Sequence, residues 1–486
     1  MLLCTHQKER PKSWSLCKGG GIFMFKKKIA GLLAAMMCVS LIGCGSGGDK
    51  PADETKKAET EESGGSSAES DVIKMAVGAD RVDFYRGLAD EFEKQNPGKK
   101  VEIIEIVNGS DMYTKITMMM QSKETSPDLI TEDGFMIMSD AEAGYLEPLD
   151  EFMKNWEDAG QFEEAILDGA KGADGVQYGV PFSTDTQCLW YDKKLMEEAG
   201  VSVPFQPKNW DEIIEAGKKL KEVGGEGFIP FFLYASKTSP EETSMRTFQE
   251  LYSGTGGTLY DFDTKKWVVD KENLLKVYNF VNDVYNVEKI GAPLSIVSQQ
   301  KVEDLFVSDY MKNGKLGMIF TGSWVPGNWG EGRTYEWPEG LDTWAVAKIP
   351  TYDGSGDGFS TMSGGWTWAI PKNANNKTGG EELLKFIAGK DCQLKYAMFS
   401  GDLAVRKDVM EDETYLSQKM SVVKEAGEML PYAHFRPSVE GYSTLTTMFT
   451  EVVESIAMGS ASPDDAAATF ESEMKRIVGE ENVTVK

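Results

Sequence analysis

The chain has 486 residues, 41% of them apolar, which is enough for two or three domains with sizeable cores. Its formal net charge of −27 repels nucleic acid and anionic lipid surfaces, so DNA or RNA binding is not expected. This acidity suits a soluble domain presented outside a cell, but it identifies no ligand.

An export signal and a lipid attachment site are predicted near the N terminus. Residues 24–43 join three lysines to an apolar run of about fifteen residues, which is shorter than a membrane span. Leu41-Ile42-Gly43-Cys44 resembles the bacterial lipobox, in which the cysteine receives a diacylglyceryl group; the alternative is a signal anchor with a chance cysteine. Met24 is the predicted start, and residues 1–23 are interpreted as a non-native upstream extension.

Residues 44–71 are predicted to be the lipidated cysteine and a flexible linker. The segment after Cys44 has no aromatic or large aliphatic side chain and is too polar to fold. A random coil of that length spans roughly 30 Å. The body is therefore expected to work at the outer face of the bacterial cytoplasmic membrane, held by a lipid anchor. Its two cysteines, Cys188 and Cys392, are expected to be buried free thiols rather than a disulfide.

The body begins with alternating strands and helices. Strands are predicted at DVIKMAVGA, KKVEIIEIV and PDLITED, and amphipathic helices lie between them at RVDFYRGLADEFEKQNPG and SDMYTKITMMMQSK. This order implies a parallel sheet with covering helices. Ligands of such sheets lie beyond the carboxyl ends of the strands, which fall near residues 79–81, 107–109 and 132–133.

Later segments predict a second α/β lobe. KNWDEIIEAGKKLKEVGG and KENLLKVYNFVNDVYNVEK have helical spacing, and GKLGMIFTG and GGWTWAIP read as strands bounded by glycine or proline. The chain beyond residue 180 is too long for one sheet.

Five stretches stand out together, in one order along the chain. They are SPDLITEDGFMIMSDAEAGYLEPLDEF, then GVQYGVPFSTDTQCLWYDKKLMEEAGV with PKNWDEIIEAGKKL, then GKLGMIFTGSW, then SGGWTWAIPKNANNK with EELLKFI, and finally HFRPSVEGY. This ordered set, from about residue 72 to the C terminus, resembles the sugar-binding group of the extracellular solute-binding proteins of ABC importers.

The resemblance implies a two-lobed periplasmic-binding-protein-like fold, with a ligand cleft between lobes joined by two or three crossovers. Lobe one would hold residues 72–183 and 348–372, and lobe two residues 184–347 and 373–486. Such a protein captures a carbohydrate, here expected to be an oligosaccharide because the chain has eleven tryptophans, and delivers it to a membrane permease with a separate ATPase. No catalysis, cofactor or metal is expected, and the protein is expected to be a monomer.

Sugar sites combine carboxylates and guanidinium groups for hydroxyls with aromatic rings for the C–H faces. The resemblance gives Trp324 and Trp366 as stacking residues, with core packing as the alternative for both. Core packing is the favoured reading for Trp368, and Tyr85, one helical turn past Arg81, is an unspecific candidate. A carboxylate at Asp185 could accept two hydroxyl hydrogen bonds. The candidate ligand-binding residues are Asp80, Arg81, Glu132, Asp133, Asp185, Trp324, Gly365, Trp366 and Arg436.

Two other functions stay open at this point. A lipid-anchored glycoside hydrolase would need two carboxylates about 5 to 10 Å apart, for which Asp133 and Asp185 are candidates. A sugar sensor of the same fold is the other alternative. The sequence has no GxxxxGK[ST] and no HExxH motif, His434 is the only histidine of the body, and DGSGDG at 353–358 is interpreted as a surface loop.

Overall fold

The computed structural model describes residues 71–107, 112–418, 421–439 and 441–486. The predicted upstream extension, signal peptide, lipidated Cys44 and all but the last residue of the linker lie outside these described residues.

The first lobe is built on a five-stranded sheet. Its three parallel strands confirm the predicted strand–helix–strand order. Two further strands extend the sheet, and one of them, Trp366–Ala369, runs antiparallel to both of its neighbours. Across the sheet the strands are Lys100–Ile106, Val72–Gly78, Leu129–Asp133, Trp366–Ala369 and Gly179–Pro181.

The helix Val82–Gln95 shows why the sequence folds this way. Its buried residues Tyr85, Leu88, Ala89 and Phe92 follow the three-and-four spacing of one helix face, and they pack in the core of this sheet. The helix ends immediately before Asn96-Pro97-Gly98. The other helices that cover this lobe are Met112–Met120, Ile137–Glu142, Asp150–Lys154, Glu164–Asp168, Lys377–Ile387 and Lys390–Ser400.

The second lobe has a four-stranded mixed sheet and a larger core. The strands, in order across the sheet, are Trp344–Ala347, Gln187–Asp192, Leu316–Gly322 and Ile229–Phe232. A smaller sheet joins Val483–Val485, Lys266–Val269 and Tyr260–Asp261, and Ile349–Pro350 pairs with Phe359–Ser360.

Helices surround this second sheet. The long ones are Trp210–Val223, Lys271–Asn282, Tyr442–Ala457 and Pro463–Val478. A π-helical segment at Asp283–Val287 extends one of these, and two more, at Thr243–Gln249 and Phe306–Tyr310, extend shorter helices. The remaining helices are Lys193–Glu198, Pro240–Glu242, Glu250–Gly254, Leu294–Val297, Val302–Leu305, Gly340–Thr343, Lys407–Met410, Glu413–Leu416 and Val423–Gly427. Short 3-10 turns occur at Ala79–Arg81, Glu157–Gln161, Val325–Trp329, Leu430–Tyr432 and Glu480–Asn482.

The later lobe boundaries differ from the predicted ones. Residues 348–372 were expected in lobe one, but Ile349 belongs to the second core and Phe359 packs against it, so the chain returns to lobe one between Phe359 and the strand that begins at Trp366. Residues 373–486 were expected in lobe two, yet Leu383, Ile387 and Tyr396 pack in the first core with the strand Val72–Gly78. Most buried apolar residues of the helices 377–387 and 390–400 lie there. The chain then alternates between the cores: Ala397, Leu403 and Val409 belong to the second core, whereas Val405 still belongs to the first.

Three other expectations concern features of the described chain. Cys188 and Cys392 are free and buried, as predicted. None of the helices in the described ranges combines the length and apolarity that a bilayer crossing requires. No cluster of three or more potential metal ligands occurs among these same residues.

Candidate functional site

A cavity of about 320 Å³ lies between the two lobes. Eight of the nine predicted ligand-binding residues line it: Asp80, Arg81, Asp133, Asp185, Trp324, Gly365, Trp366 and Arg436. The structure therefore brings together side chains that are up to 356 positions apart in the sequence, from Asp80 to Arg436. We call this cavity the interlobe cleft.

The wall formed by lobe one combines an aromatic ring with a charge pair. Asp80 and Arg81 follow the first strand, and Nε of Arg81 lies 3.4 Å from a carboxylate oxygen of Asp80. The Arg81 guanidinium stacks 4.5 Å from the ring centre of Trp366, at the start of the strand Trp366–Ala369. Burial by itself lowers the pKa of Arg81, but Tyr396, Asp80 and Asp402 outweigh it and raise that pKa above its ordinary value.

The wall formed by lobe two repeats this arrangement with different residues. The Arg246 guanidinium lies 4.9 Å from the ring centre of Trp324 and donates to Glu303 at 3.0 Å. The indole Nε1–H of Trp324 donates to the other oxygen of Glu303 at 3.3 Å. Each of the two predicted stacking residues thus has an arginine fixed over its ring, and each stays partly exposed to the cleft.

A buried ion pair bridges the two lobes at one side of the cleft. Arg436 donates to Asp133 at 2.9 Å and to Glu241 at 2.5 Å, and the side chains of Arg436 and Asp133 are 5% and 9% exposed. Tyr113 donates to the second oxygen of Asp133 at 3.0 Å. The Arg436 guanidinium also lies 4.1 Å from the ring centre of Phe135, which follows Asp133 in lobe one.

The contacts in this bridge shift the pKa values of Asp133 and Arg436. Burial raises the pKa of Asp133, whereas Arg436 opposes that rise. Burial alone lowers the pKa of Arg436, but Asp133 and Glu241 raise it above its ordinary value. We therefore treat Arg436 as a permanent cation whose donors are already engaged by protein carboxylates.

Asp185 lies where the chain first crosses between the lobes. Ser363 of the return crossing donates to its backbone carbonyl at 2.7 Å, which joins two crossing segments. Its side chain accepts only a long hydrogen bond, 3.4 Å from Nε2 of Gln187, among the described residues. Burial, with Asp402 adding to it, raises the pKa of Asp185 to about 7.

Gly365 is needed for backbone packing at the same crossing. Its φ of +139° lies in a region that residues with a side chain rarely adopt, and a Cβ there would lie 2.2 Å from the carbonyl oxygen of Ser183. Gly365 is therefore required by the close approach of the Ser183 backbone.

Glu132 does not line the cleft, although it was a predicted ligand-binding residue. Successive strand residues point to opposite faces, so Glu132 points away from the face that Asp133 presents at the strand end. Its side chain is 0% exposed. Burial raises the pKa of Glu132, and the neighbouring carboxyl group of Asp140 raises it further.

Trp368 and Tyr85 are core residues rather than cleft residues. Both are at most 2% exposed, and their rings contact each other edge-to-face at 5.0 Å. Trp329, Trp337 and Trp344 are also buried in the second core. Trp366 and Trp368 share a side of the strand, but only Trp366, the first residue of the strand, lines the cleft.

Several cleft residues have no signal in the sequence that singles them out. They are Tyr113, Glu241, Arg246, Glu303, Asp304, Arg333, Tyr335 and Asp402. Arg246 projects from a π-helical segment, and its partner Glu303 is 57 positions away. Asp402 follows the helix Lys390–Ser400, and the prediction had placed that helix in the other lobe. The sequence shows that acidic, arginine and aromatic residues are available for such a site, but not which of them lie in the cleft.

The arrangement suits non-covalent binding of a polyhydroxylated molecule. Carboxylates accept hydroxyl hydrogens, and partly exposed indole rings cover C–H faces. None of the lining residues is a histidine, cysteine or lysine. No metal-ligating cluster is found in the part of the chain that the structure describes.

Comparison with known proteins places the chain among binding proteins. The family profile described as bacterial extracellular solute-binding protein matches residues 78–393. A binding protein of Brucella abortus is 27% identical over 420 residues, which cover 85% of this chain and 95% of that protein. A galactooligosaccharide-binding protein of Bacillus subtilis is 22% identical, over 93% of this chain and 98% of its own length.

The fold matches a solved structure as well. An ABC transporter solute-binding protein of Thermotoga lettingae, bound with α-D-tagatose, superimposes with a TM-score of 0.72 at 22% identity. The match covers 84% of this chain and all of that one. This confirms the predicted two-lobed fold.

Proposed function

The chain belongs to the bacterial extracellular solute-binding protein family, and we propose that it captures a carbohydrate in the interlobe cleft for an ABC importer. The observation that carries this proposal is the pairing of Trp366 and Trp324 on opposite walls of one cleft, with seven carboxyl side chains around them. A relative of similar length named as a galactooligosaccharide-binding protein, and a structure that holds tagatose, support the same ligand class.

The cleft fits a sugar because it offers two kinds of contact at once. An indole ring on each lobe can stack against a C–H face, while carboxylates near each ring accept hydroxyl hydrogens. A ligand held this way contacts both lobes, so it stabilises the arrangement in which the lobes are close. The cavity volume of about 320 Å³ has room for a small oligosaccharide.

Delivery to a permease completes the proposed function. The closed form would dock on membrane subunits whose ATPase is a separate chain. We further propose that Cys44 carries the lipid anchor that keeps the body at the outer face of the cytoplasmic membrane. The mass of the mature N-terminal peptide from membranes tests that part: an unmodified Cys44 would contradict it.

The alternative of a glycoside hydrolase is disfavoured by the state of its candidate carboxylates. Asp133 is held by Arg436 and Tyr113, which leaves it poorly placed to donate or accept a proton from a glycosidic oxygen. Of the two predicted carboxylates only Asp185 then stays available, whereas both hydrolysis geometries require a pair. We therefore propose binding without bond cleavage.

Thermal unfolding of the full chain against mono- and oligosaccharides tests the proposal, with amino acids and short peptides as controls. A ligand at 100 times its Kd stabilises the fold by about 2.7 kcal/mol. We expect a rise in Tm with one glycan class and no change of that glycan by chromatography. In Trp366→Ala, whose Kd is expected to be about tenfold higher or more, the rise should fall to about half or less. Tyr432→Ala, which removes a 49% exposed aromatic ring outside the cleft, is the matched control.

A Tm rise only with a peptide or amino acid would keep the family and refute the carbohydrate. Cleavage of the glycan would refute the binding-protein proposal.

A further inference from the structure

The charged groups of the interlobe cleft are strongly unequal in number. Its lining holds seven carboxyl side chains and four guanidinium groups, and neither lysine nor histidine contributes. The carboxyl groups are those of Asp80, Asp133, Asp185, Glu241, Glu303, Asp304 and Asp402, and the guanidinium groups are those of Arg81, Arg246, Arg333 and Arg436. The formal excess is three negative charges.

Three of the four guanidinium groups already have carboxylate partners. Arg81 pairs with Asp80 at 3.4 Å, and Arg246 with Glu303 at 3.0 Å. Arg436 is shared by two carboxylates in the bridge between the lobes. An anionic ligand would have to compete with these internal partners for the same donors.

Arg333 is the guanidinium that makes no ion pair with a described residue. It stacks 3.9 Å from the ring centre of Phe399, and burial lowers its pKa while Asp80 acts against that change. It is therefore the one position at which an acidic ligand could find a cation, and Asp80 offsets part of its charge. A single partly compensated arginine does not balance the excess of carboxylates.

Asp185, unlike the paired arginines, is a carboxyl group with too few hydrogen-bond donors around it. One of its oxygens has only the long contact with Gln187, and the other accepts no hydrogen bond from the described protein groups. A ligand hydroxyl or ammonium group would supply the missing donors, whereas a ligand carboxylate or phosphate would place two unsolvated negative groups together.

We infer that the cleft selects uncharged or amino-substituted glycans and excludes acidic ones. This inference rests on the proposed function and adds the charge class of the ligand to it. The selection arises from the unbalanced carboxylates inside the cleft and not from the net charge of the protein, because surface charges beyond a Debye length of about 8 Å are screened at physiological ionic strength.

Calorimetry on the full chain at pH 7.5 tests the inference with series that differ only in charge. The probes are glucose, glucosamine and glucuronate, then galactose, galactosamine and galacturonate, and the di- to tetrasaccharides of the same units. In every series whose neutral member binds, we expect the amino member to bind at least as tightly within about threefold and the uronate at least about tenfold more weakly.

Two variants separate a cleft effect from an overall charge effect. Asp304→Asn removes one carboxylate that lines the cleft, and Asp353→Asn removes one from an exposed loop outside it. Asp304→Asn should narrow the gap between uronate and neutral glycan by about threefold or more, and Asp353→Asn should leave that gap unchanged.

The outcomes distinguish the inference from the function on which it rests. Uronates that bind as tightly as neutral glycans, with binding lost in Arg333→Gln, would overturn the inference and leave sugar binding intact. Equal narrowing by both variants would assign the selection to the whole protein and also overturn it. If no glycan of any charge binds, the proposed function fails and the inference fails with it.

Discussion

The proton on Asp185 should make glycan binding depend on pH near neutrality. The pKa of this carboxyl is about 7 in the unliganded cleft, because burial and the nearby Asp402 disfavour its charge. Hydroxyl groups that donate to Asp185 favour the ionised form, so binding lowers this pKa and releases a proton. The apparent affinity for a neutral glycan therefore rises as the pH increases.

The magnitude follows from the ionised fraction of one carboxyl. With a pKa of about 7, roughly nine tenths of Asp185 is ionised at pH 8 and roughly one tenth at pH 6. If the bound form is the carboxylate, affinity at pH 6 is about tenfold lower than at pH 8. Asp185→Asn exchanges charge-assisted bonds for neutral ones, which costs about 1–2 kcal/mol at pH 8, or roughly 5- to 30-fold.

Isothermal calorimetry from pH 6 to pH 8, in two buffers of different ionisation enthalpy, measures both affinity and proton release. The wild type should lose affinity on acidification and release close to one proton per glycan near pH 6. Asp185→Asn should bind with nearly constant affinity and release few protons. A flat wild-type profile, or the same slope in both proteins, would refute the assignment to Asp185.

The same pKa has a consequence for the unliganded fold. The folded-state pKa of Asp185 lies above the ordinary value of an aspartate, so the folded protein binds the proton more tightly than the unfolded chain. The stability that this group contributes is full at pH values below the ordinary pKa of about 4 and is lost as the pH rises through 7. Asp185→Asn should remove that loss.

Four further substitutions test the cleft and the core beside it. Trp366→Ala should weaken glycan binding by about tenfold or more and change Tm little, whereas Trp368→Ala should lower the free energy of unfolding by about 3–5 kcal/mol and leave the affinity of the folded protein unchanged. Calorimetry measures the affinities and thermal melts the stabilities; equal losses of affinity would contradict the placement of Trp368 in the core. Arg436→Met leaves the buried carboxylate of Asp133 without its cation, which should destabilise the contact between the lobes by about 3–5 kcal/mol. The lobes should then separate, with a larger radius of gyration in small-angle scattering; an unchanged radius of gyration and Tm would contradict the bridge. Gly365→Ala should lower the free energy of unfolding by at least about 1–3 kcal/mol because of backbone strain and contact, measured by urea titration, and an unaltered midpoint would show that the crossing tolerates a side chain.

The sequence predicts the cleft residues that directly follow a strand, because their position depends only on where that strand ends. Parallel strands place their carboxyl ends at one edge of a sheet, so Asp80, Arg81 and Asp133 could be brought together from local patterns alone. Trp324 and Trp366 followed from the resemblance to a family. Glu132 was wrong as a cleft residue because one step along a strand turns a side chain to the other face.

The unpredicted parts depend on distant segments and on the second lobe. Arg436 and Asp133 are 303 positions apart, and no local pattern shows that they meet. The assignment of residues 377–400 to lobe two was wrong for a similar reason: amphipathic helices reveal which face is buried but not which sheet covers it. The apolar faces of these helices pack against the first strand and its neighbours.

The bridge between the lobes also decides what Arg436 does when a sugar binds. The sequence predicted Arg436 as a ligand-binding residue, but a guanidinium that donated to ligand hydroxyls would have to give up Asp133 or Glu241. Leaving such a buried partner uncompensated costs about 3–5 kcal/mol, while one charge-assisted hydrogen bond contributes about 1.5–3 kcal/mol. A ligand would need two such bonds at Arg436 to reach balance, and the ring of Phe135 already lies over the same guanidinium. The bridge therefore stays intact as one wall of the closed cleft, and the hydroxyls of the sugar go to carboxylates that still lack donors, of which Asp185 is the clearest.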